Sequence, residues 1–292
     1  MCTEPISYCD GGFKVRLISW NVMGIEGDRI SNQVDALRTR DPDIIALQEV
    51  TARTAPQYRA ELSSIGYYSI IDSFQSVKYL TRIQGRSYGE LIASRWPLIT
   101  SPMHFDVPWP EKVLSCFIIC PWGDLQVHTA HIPQVGGNDP KKAMTLEGLY
   151  KALAYDSKYP RILCGDFNTP QLETEDGKIM TWGQKRKRNG EIVLQKFWGQ
   201  RWDSAERNIL EGLEKYDLVE VYRQINGFGK QEYSYYPNKN GRRVGYRFDH
   251  IFASKSLNAI KCQYLHEFRE KKLSGHSPIE VLFSPKPSQD NI

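Results

Sequence analysis

The sequence predicts an α/β fold in which two β-sheets pack face to face with helices outside. Short runs rich in β-branched and apolar residues recur along the chain. Between some of them lie stretches with apolar residues at three- and four-residue spacing, and no internal repeat is visible. A chain of 292 residues is long for one domain, yet large sandwich folds reach this size as a single unit. One domain over residues 1–284 is therefore expected, with 285–292 as a flexible tail.

In chain order, strands are expected at Val15 to Trp20, Ile44 to Gln48, Ile70 to Asp72, Leu91 to Ser94, Leu114 to Ile119 and Leu125 to Ala130. Arg161 to Cys164, Phe248 to Ala253 and Ile279 to Phe283 complete the set. Helices are expected at Asp28 to Arg40, Pro56 to Ser64, Lys141 to Ala154 and Ser204 to Glu214. The polar stretch Gln171 to Gln200 shows no clear period and reads as a long excursion from the core.

Hydrophobic residues make up 40% of the chain and charged residues 25%, a balance that excludes a wholly disordered or fibrous chain. Apolar runs such as Ile44 to Leu47 are far shorter than the roughly 20 residues a membrane span needs. The first residues lack a basic start followed by an apolar stretch, so no secretory signal is visible and a cytoplasmic location is expected. The six cysteines form no close pairs, which argues against a zinc site or a disulfide framework. A net charge of +4 permits a polyanionic partner without demanding one.

The chemical signal lies at strand ends, where side chains are held rigidly at a rim that a substrate can reach. Asn21 follows the first strand, Glu49 the second, His131 the run Val127 to Ala130, and Gly165-Asp166-Phe167-Asn168 the run Arg161 to Cys164. Asp249 follows Tyr246-Arg247-Phe248, and Ser274-Gly275-His276-Ser277-Pro278 precedes the last strand. Hydrolysis of a phosphate ester needs a cation, a base to activate water and donors for the transition state, and this set supplies carboxylates, amides and imidazoles for all three. Oxygen donors suit Mg2+ or Mn2+. Asp249 is placed to fix the tautomer of His276. Singly, a Glu or Asn after a strand is more often a turn residue, and His104, His128 and His266 read as structural.

In this order the motifs resemble the endonuclease/exonuclease/phosphatase superfamily, from Trp20-Asn21 through Leu47-Gln48-Glu49-Val50 and Gly165-Asp166-Phe167-Asn168 to Ser274-Gly275-His276. The resemblance implies a four-layer α/β sandwich. It implies that Glu49 is the principal metal ligand with Asn21 its neighbour, and that Asp166 activates or orients water. Asn168 would contact the phosphate, His276 held by Asp249 would stabilise the phosphorus centre, and His131 would sit beside the scissile group. Two positions depart from the pattern: Gly275 stands where an acidic residue is common, as does Met23. Both missing carboxylates would belong to a second metal position, so the resemblance favours one metal.

Three functions follow, in order. The first is a nuclease or DNA-repair phosphodiesterase with nucleic acid as substrate, supported by Lys185, Arg186, Lys187 and Arg188 near Trp182, Trp198 and Trp202. The second is a phosphomonoesterase acting on inositol phosphates, phospholipid head groups or nucleotides. The third is an inactive nucleic-acid-binding module. No obligate protein partner is inferred.

Overall fold

The computed structural model describes residues 13–76, 88–134, 139–239 and 242–284; the tail expected at 285–292 lies outside them. One six-stranded sheet contains β1 (Val15–Asn21), β2 (Ile44–Thr51), β3 (Ser69–Asp72), β4 (Tyr88–Ser94), β17 (Ala259–Tyr264) and β18 (Ile279–Phe283), in the order β17-β18-β1-β2-β4-β3. The other contains β5 (Leu98–Thr100), β6 (Val113–Cys120), β7 (Gly123–His131), β8 (Arg161–Asp166), β13 (Val219–Glu220) and β16 (Asp249–Ala253), in the order β13-β16-β8-β7-β6-β5. Three two-stranded ladders stand apart: β9 (Leu172–Glu173) with β10 (Ile179–Met180), β11 (Gln184–Arg186) with β12 (Ile192–Leu194), and β14 (Asn238–Lys239) with β15 (Arg242–Arg243).

The helices are α1 (Asp28–Arg40), α2 (Ala55–Ser64), α3 (Ser73–Ser76), α4 (Lys141–Leu153), α5 (Gly199–Leu210), α6 (Val221–Asn226) and α7 (His266–Glu270). Among the described residues no helix is long and apolar enough to cross a membrane.

Alternation along the strands produces the layers. Leu17, Ile44, Val127, Ile162 and Ile279 point between the sheets into one core. Their neighbours Ile18, Trp20, Ile45 and Leu47 point outward and pack with Val34 and Leu37 of α1 and Leu62 of α2. On the opposite outer face Ala130, Leu163 and Phe252 meet Leu146 and Leu149 of α4 and Ile209 of α5. The result is four layers, helices–sheet–sheet–helices, as the resemblance implied. Fully burying one such Leu or Ile contributes roughly 1.5–3 kcal/mol.

Differences from expectation are local. The last expected helix starts earlier, at Gly199, ends at Leu210 and is followed by a 3-10 turn, Gly212–Tyr216. Trp202 therefore belongs to α5 and not to the excursion. The excursion itself is folded into the β9–β10 and β11–β12 hairpins. Strand β17 was not anticipated, because a register shift between Ala259 and Lys261 breaks its alternation.

Register sets the site. β1 runs parallel to β2 and β7 parallel to β8, so Asn21, Glu49, His131 and Asp166 leave their strands at one rim. β16 runs antiparallel to β8 with Asp249 opposite Asp166, and β18 runs antiparallel to β1, so strand starts there reach the same rim.

Candidate active site

Asp166 is the meeting point. Its Oδ2 accepts from Asn21 Nδ2 at 2.9 Å, and its Oδ1 accepts from the Asn168 backbone N–H at 2.9 Å. His276 Nε2 lies 3.9 Å from Asp166 Oδ2 and His131 Nε2 lies 4.0 Å from it. Asp166 closes β8 directly after Gly165, whose φ of +143° and contact with β7 require glycine: a Cβ would fall 1.9 Å from Ala130 O.

Glu49 sits at a bulge in the β2–β4 ladder with φ +58°, which turns its carboxylate toward the rim. Its Oε1 accepts from Asn21 Nδ2 at 3.0 Å and lies 3.5 Å from His131 Nε2. The Asn21 amide oxygen accepts the Met23 N–H at 2.9 Å, so toward the two carboxylates Asn21 presents its nitrogen. Its geometry is that of a clamp on Glu49 and Asp166, where a ligand neighbour was expected. Asn168 Nδ2 donates to Ile132 O at 2.9 Å, tying the Asp166 loop to the end of β7, and also approaches Asp166 Oδ2 at 3.5 Å; the phosphate contact expected of it would compete with that second, longer bond.

The two histidines are held oppositely. His276 Nδ1 is 2.9 Å from Asp249 Oδ2, and the Tyr235 ring stacks on the imidazole at 4.4 Å and 14°. Burial alone would lower its pKa, but the charges of Asp249 and Asp166 outweigh burial and raise it to about 9. His131 Nδ1 is 3.0 Å from Lys112 Nζ. An ammonium offers only hydrogens, so Nδ1 must accept, which assigns the ring proton to Nε2 on the side of Glu49. Burial, Lys112 and His276 together hold His131 well below its ordinary pKa.

Burial also pushes Asp166 up to about 7, against the opposing charge of His276, with Asp249 adding to the rise. Buried Glu90, which accepts from Thr129 Oγ1 at 3.2 Å, is raised well above the usual range by burial, against the opposing charge of Lys112. Lys112, Glu90 and Tyr235 are site residues that the sequence reading missed. Lys112 precedes and Glu90 lies within strands antiparallel to those that end at the rim, whereas the expected residues, His276 apart, are polar groups at the ends of apolar runs. A lone glutamate inside the apolar run Tyr88–Ser94 was the available signal.

The remaining expectations separate. Gly275 N–H approaches Met23 Sδ at 3.0 Å, and a Cβ on Gly275 would meet that sulfur at 2.6 Å, so the two departures from the family pattern touch. Lys185, Arg186, Lys187 and Arg188 lie exposed on the β11–β12 hairpin, away from the rim cluster, and Lys187 pairs with Glu191 at 3.0 Å. Trp182 instead reaches the site, its Nε1 donating to Asn168 O at 2.9 Å; buried Lys142 donates to the same carbonyl at 2.6 Å. His128 Nδ1 lies 2.8 Å from Ser115 Oγ and His266 Nδ1 lies 3.0 Å from Ser277 Oγ. Four cysteines, Cys116, Cys120, Cys164 and Cys262, are free and buried among the described residues.

The model of the Endonuclease/Exonuclease/phosphatase family matches residues 18–274. The chain belongs to that family. Among curated proteins, Recombination repair protein 1 of Drosophila melanogaster is 23% identical over 289 residues; the match covers 94% of this chain, which spans 38% of the relative's length. Among solved structures, an AP endonuclease from Archaeoglobus fulgidus is 22% identical with TM-score 0.65, covering 92% of this chain and 99% of its own. A Neisseria 3' phosphatase, NExo, bound to product DNA hairpin, is 19% identical with TM-score 0.63 and the same coverages. D. rerio TDP2 complexed with a single-strand DNA product is 16% identical with TM-score 0.61, covering 92% and 98%. All share the four-layer fold.

Proposed function

We propose that this family member is a divalent-metal-dependent hydrolase of phosphodiester bonds in nucleic acid. The observation that carries the reading is the convergence on Asp166 of one carboxylate, Glu49, and two histidines, His131 and His276. Ligand atoms of Glu49, His131 and Asp166 lie within 4.8 Å of one another, and those of Asp166, Asp249 and His276 do likewise. Acidic groups outnumber cationic partners there, and burial raises Asp166 and Glu90; a hard dication fits this donor set.

Glu49 would hold the cation, Mg2+ or Mn2+, with Asn21 ordering its carboxylate. Bound there, the ion would neutralise phosphoryl oxygens. Asp166, ordered by Asn21 and Asn168, accepts the proton of the attacking water. His276, cationic through Asp249, donates from Nε2 to the developing charge on phosphorus oxygen, and His131 donates from its neutral Nε2–H on the other side. With Met23 against Gly275, the two positions that would carry further acidic ligands hold none, so one cation is assigned.

Nucleic acid is favoured as substrate by the basic hairpin after Asp166 and by the relatives whose names specify DNA or repair. Cleavage with magnesium should be measured on double-stranded, single-stranded and abasic DNA, RNA and inositol phosphates. Cleavage of a nucleic acid diester supports the reading, whereas release of phosphate from inositol phosphates alone would replace it with the phosphomonoesterase alternative.

A further inference from the structure

The segment from Gln184 to Arg201 holds six basic residues against one acid, Glu191, a net +5 where the whole chain carries +4. The rest of the chain is thus close to neutral, and the positive charge is concentrated on one protrusion. At its base, where the chain leaves β12 and enters α5, stand two aromatic residues that the fold does not bury: Phe197 is 67% exposed and Trp198 43% exposed. Trp198 also adopts φ +59°, a left-handed conformation unfavourable for a bulky side chain. Neither burial nor backbone comfort explains a tryptophan there. Lys196 Nζ lies 5.4 Å from the Phe197 ring centroid, and Arg201 Cζ lies 5.5 Å from that of Trp198 while its guanidinium is paired with Glu147.

This pair is joined to the active site through rigid structure. Trp198 precedes Trp202 by one turn of α5, about 6 Å of rise. The Trp202 ring lies 6.0 Å from Lys142 Nζ, which bonds Asn168 O. By contrast Trp182 is committed to Asn168 O and is not a free stacking face.

Resting on the nucleic-acid reading above, we infer that Phe197 and Trp198 form a stacking platform for unpaired bases of a single strand. The strand's phosphates are taken by Lys185, Arg186 and Lys196. A flat aromatic face exposed beside clustered cations is what single strands recognise without sequence preference, while paired bases keep their faces hidden.

The test is fluorescence anisotropy of a labelled 12-nucleotide oligo-dT and of a 12-base-pair duplex, without divalent ions, at several salt concentrations. The proteins are wild type, Phe197→Ala/Trp198→Ala, Phe197→Leu/Trp198→Leu, and a variant with Lys185, Arg186 and Lys196 changed to Gln. Far-ultraviolet circular dichroism checks each fold. Both aromatic variants should bind oligo-dT roughly 10-fold or more weakly at every salt concentration, with the salt slope and duplex affinity retained. The charge variant should flatten the slope, by about 0.7 for each phosphate that is no longer neutralised. Unchanged oligo-dT affinity in the alanine variant, recovery by leucine, or equal weakening on the duplex would overturn the platform alone. Wild type that binds neither form would overturn the nucleic-acid reading with it.

Discussion

Two clusters of buried charge lie close together, and they are built on opposite terms. In one, beneath the loop that follows Asp166, charges are matched. Arg247 donates to Glu173 Oε1 at 2.6 Å, to Glu173 Oε2 at 2.7 Å and to Glu220 Oε1 at 2.7 Å. Arg223 bonds Glu173, and His250 bridges Glu220 and Thr169 O. Burial alone would raise Glu173, but Arg247 and Arg223 outweigh it and hold the carboxyl at about 2. At the rim, Glu49, Glu90, Asp166 and Asp249 face Lys112 and His276, with buried Lys142 acting on Asp166 from the far side of Asn168, and Asp166 still rises to about 7. A structural cluster closes its own charge balance. The rim leaves the balance open at a cost to the apo fold, and the proposed cation and phosphate would close it.

The strongest way to break this contrast is Asp166→Asn. Turnover should fall by roughly 1,000-fold or more, yet the metal-free variant at pH 8 should unfold no earlier than wild type. The sign follows from linkage: a carboxyl raised from 3.8 to about 7 adds stability below pH 4 that is lost as pH rises through 7, and asparagine removes that loss. A midpoint lowered by several degrees would place Asp166 among the structural charges.

Glu173→Gln should do the reverse. Stripping one partner from a matched buried network costs about 3 kcal/mol of stability, measured by denaturant unfolding at pH 7. Because Glu173 is held down to about 2, its stabilisation is complete above pH 4.5 and disappears as pH falls through 2. The variant should accordingly lack that acid-side step.

His276→Ala should depress turnover by roughly 100-fold, and Asp249→Asn by no more, since the aspartate acts through the histidine. A double variant no worse than His276→Ala supports this unit, and fully additive losses contradict it. In wild type the rate should fall as pH rises through about 9, where His276 loses its proton. With Asp249→Asn that limb should move to lower pH.

The fold was legible because strands buried on both faces read as short unbroken apolar runs, as in Leu17-Ile18 and Ile44-Ile45. Most of the rim was legible because Asn21, Glu49, His131 and Asp166 each end an apolar run. Lys112 was not, since only the β6–β7 pairing, Val113 opposite Ala130, carries it to His131. Tyr235 was equally hidden, joined to His276 by an isolated bridge across more than forty residues of chain. The excursion misled because its hairpin strands are too short to show a period, so Trp182, which bonds Asn168 O, looked the same as Trp198, which stays exposed.

The central claim, that the unmatched rim is a cation site centred on Glu49, is tested most directly by calorimetric titration of Mn2+ or Mg2+ into metal-free wild type and Glu49→Gln. Wild type should bind one equivalent, and the variant should bind roughly 10-fold or more weakly, because a formal charge is removed from a hard-cation site. Equal affinity in a folded Glu49→Gln protein would contradict it.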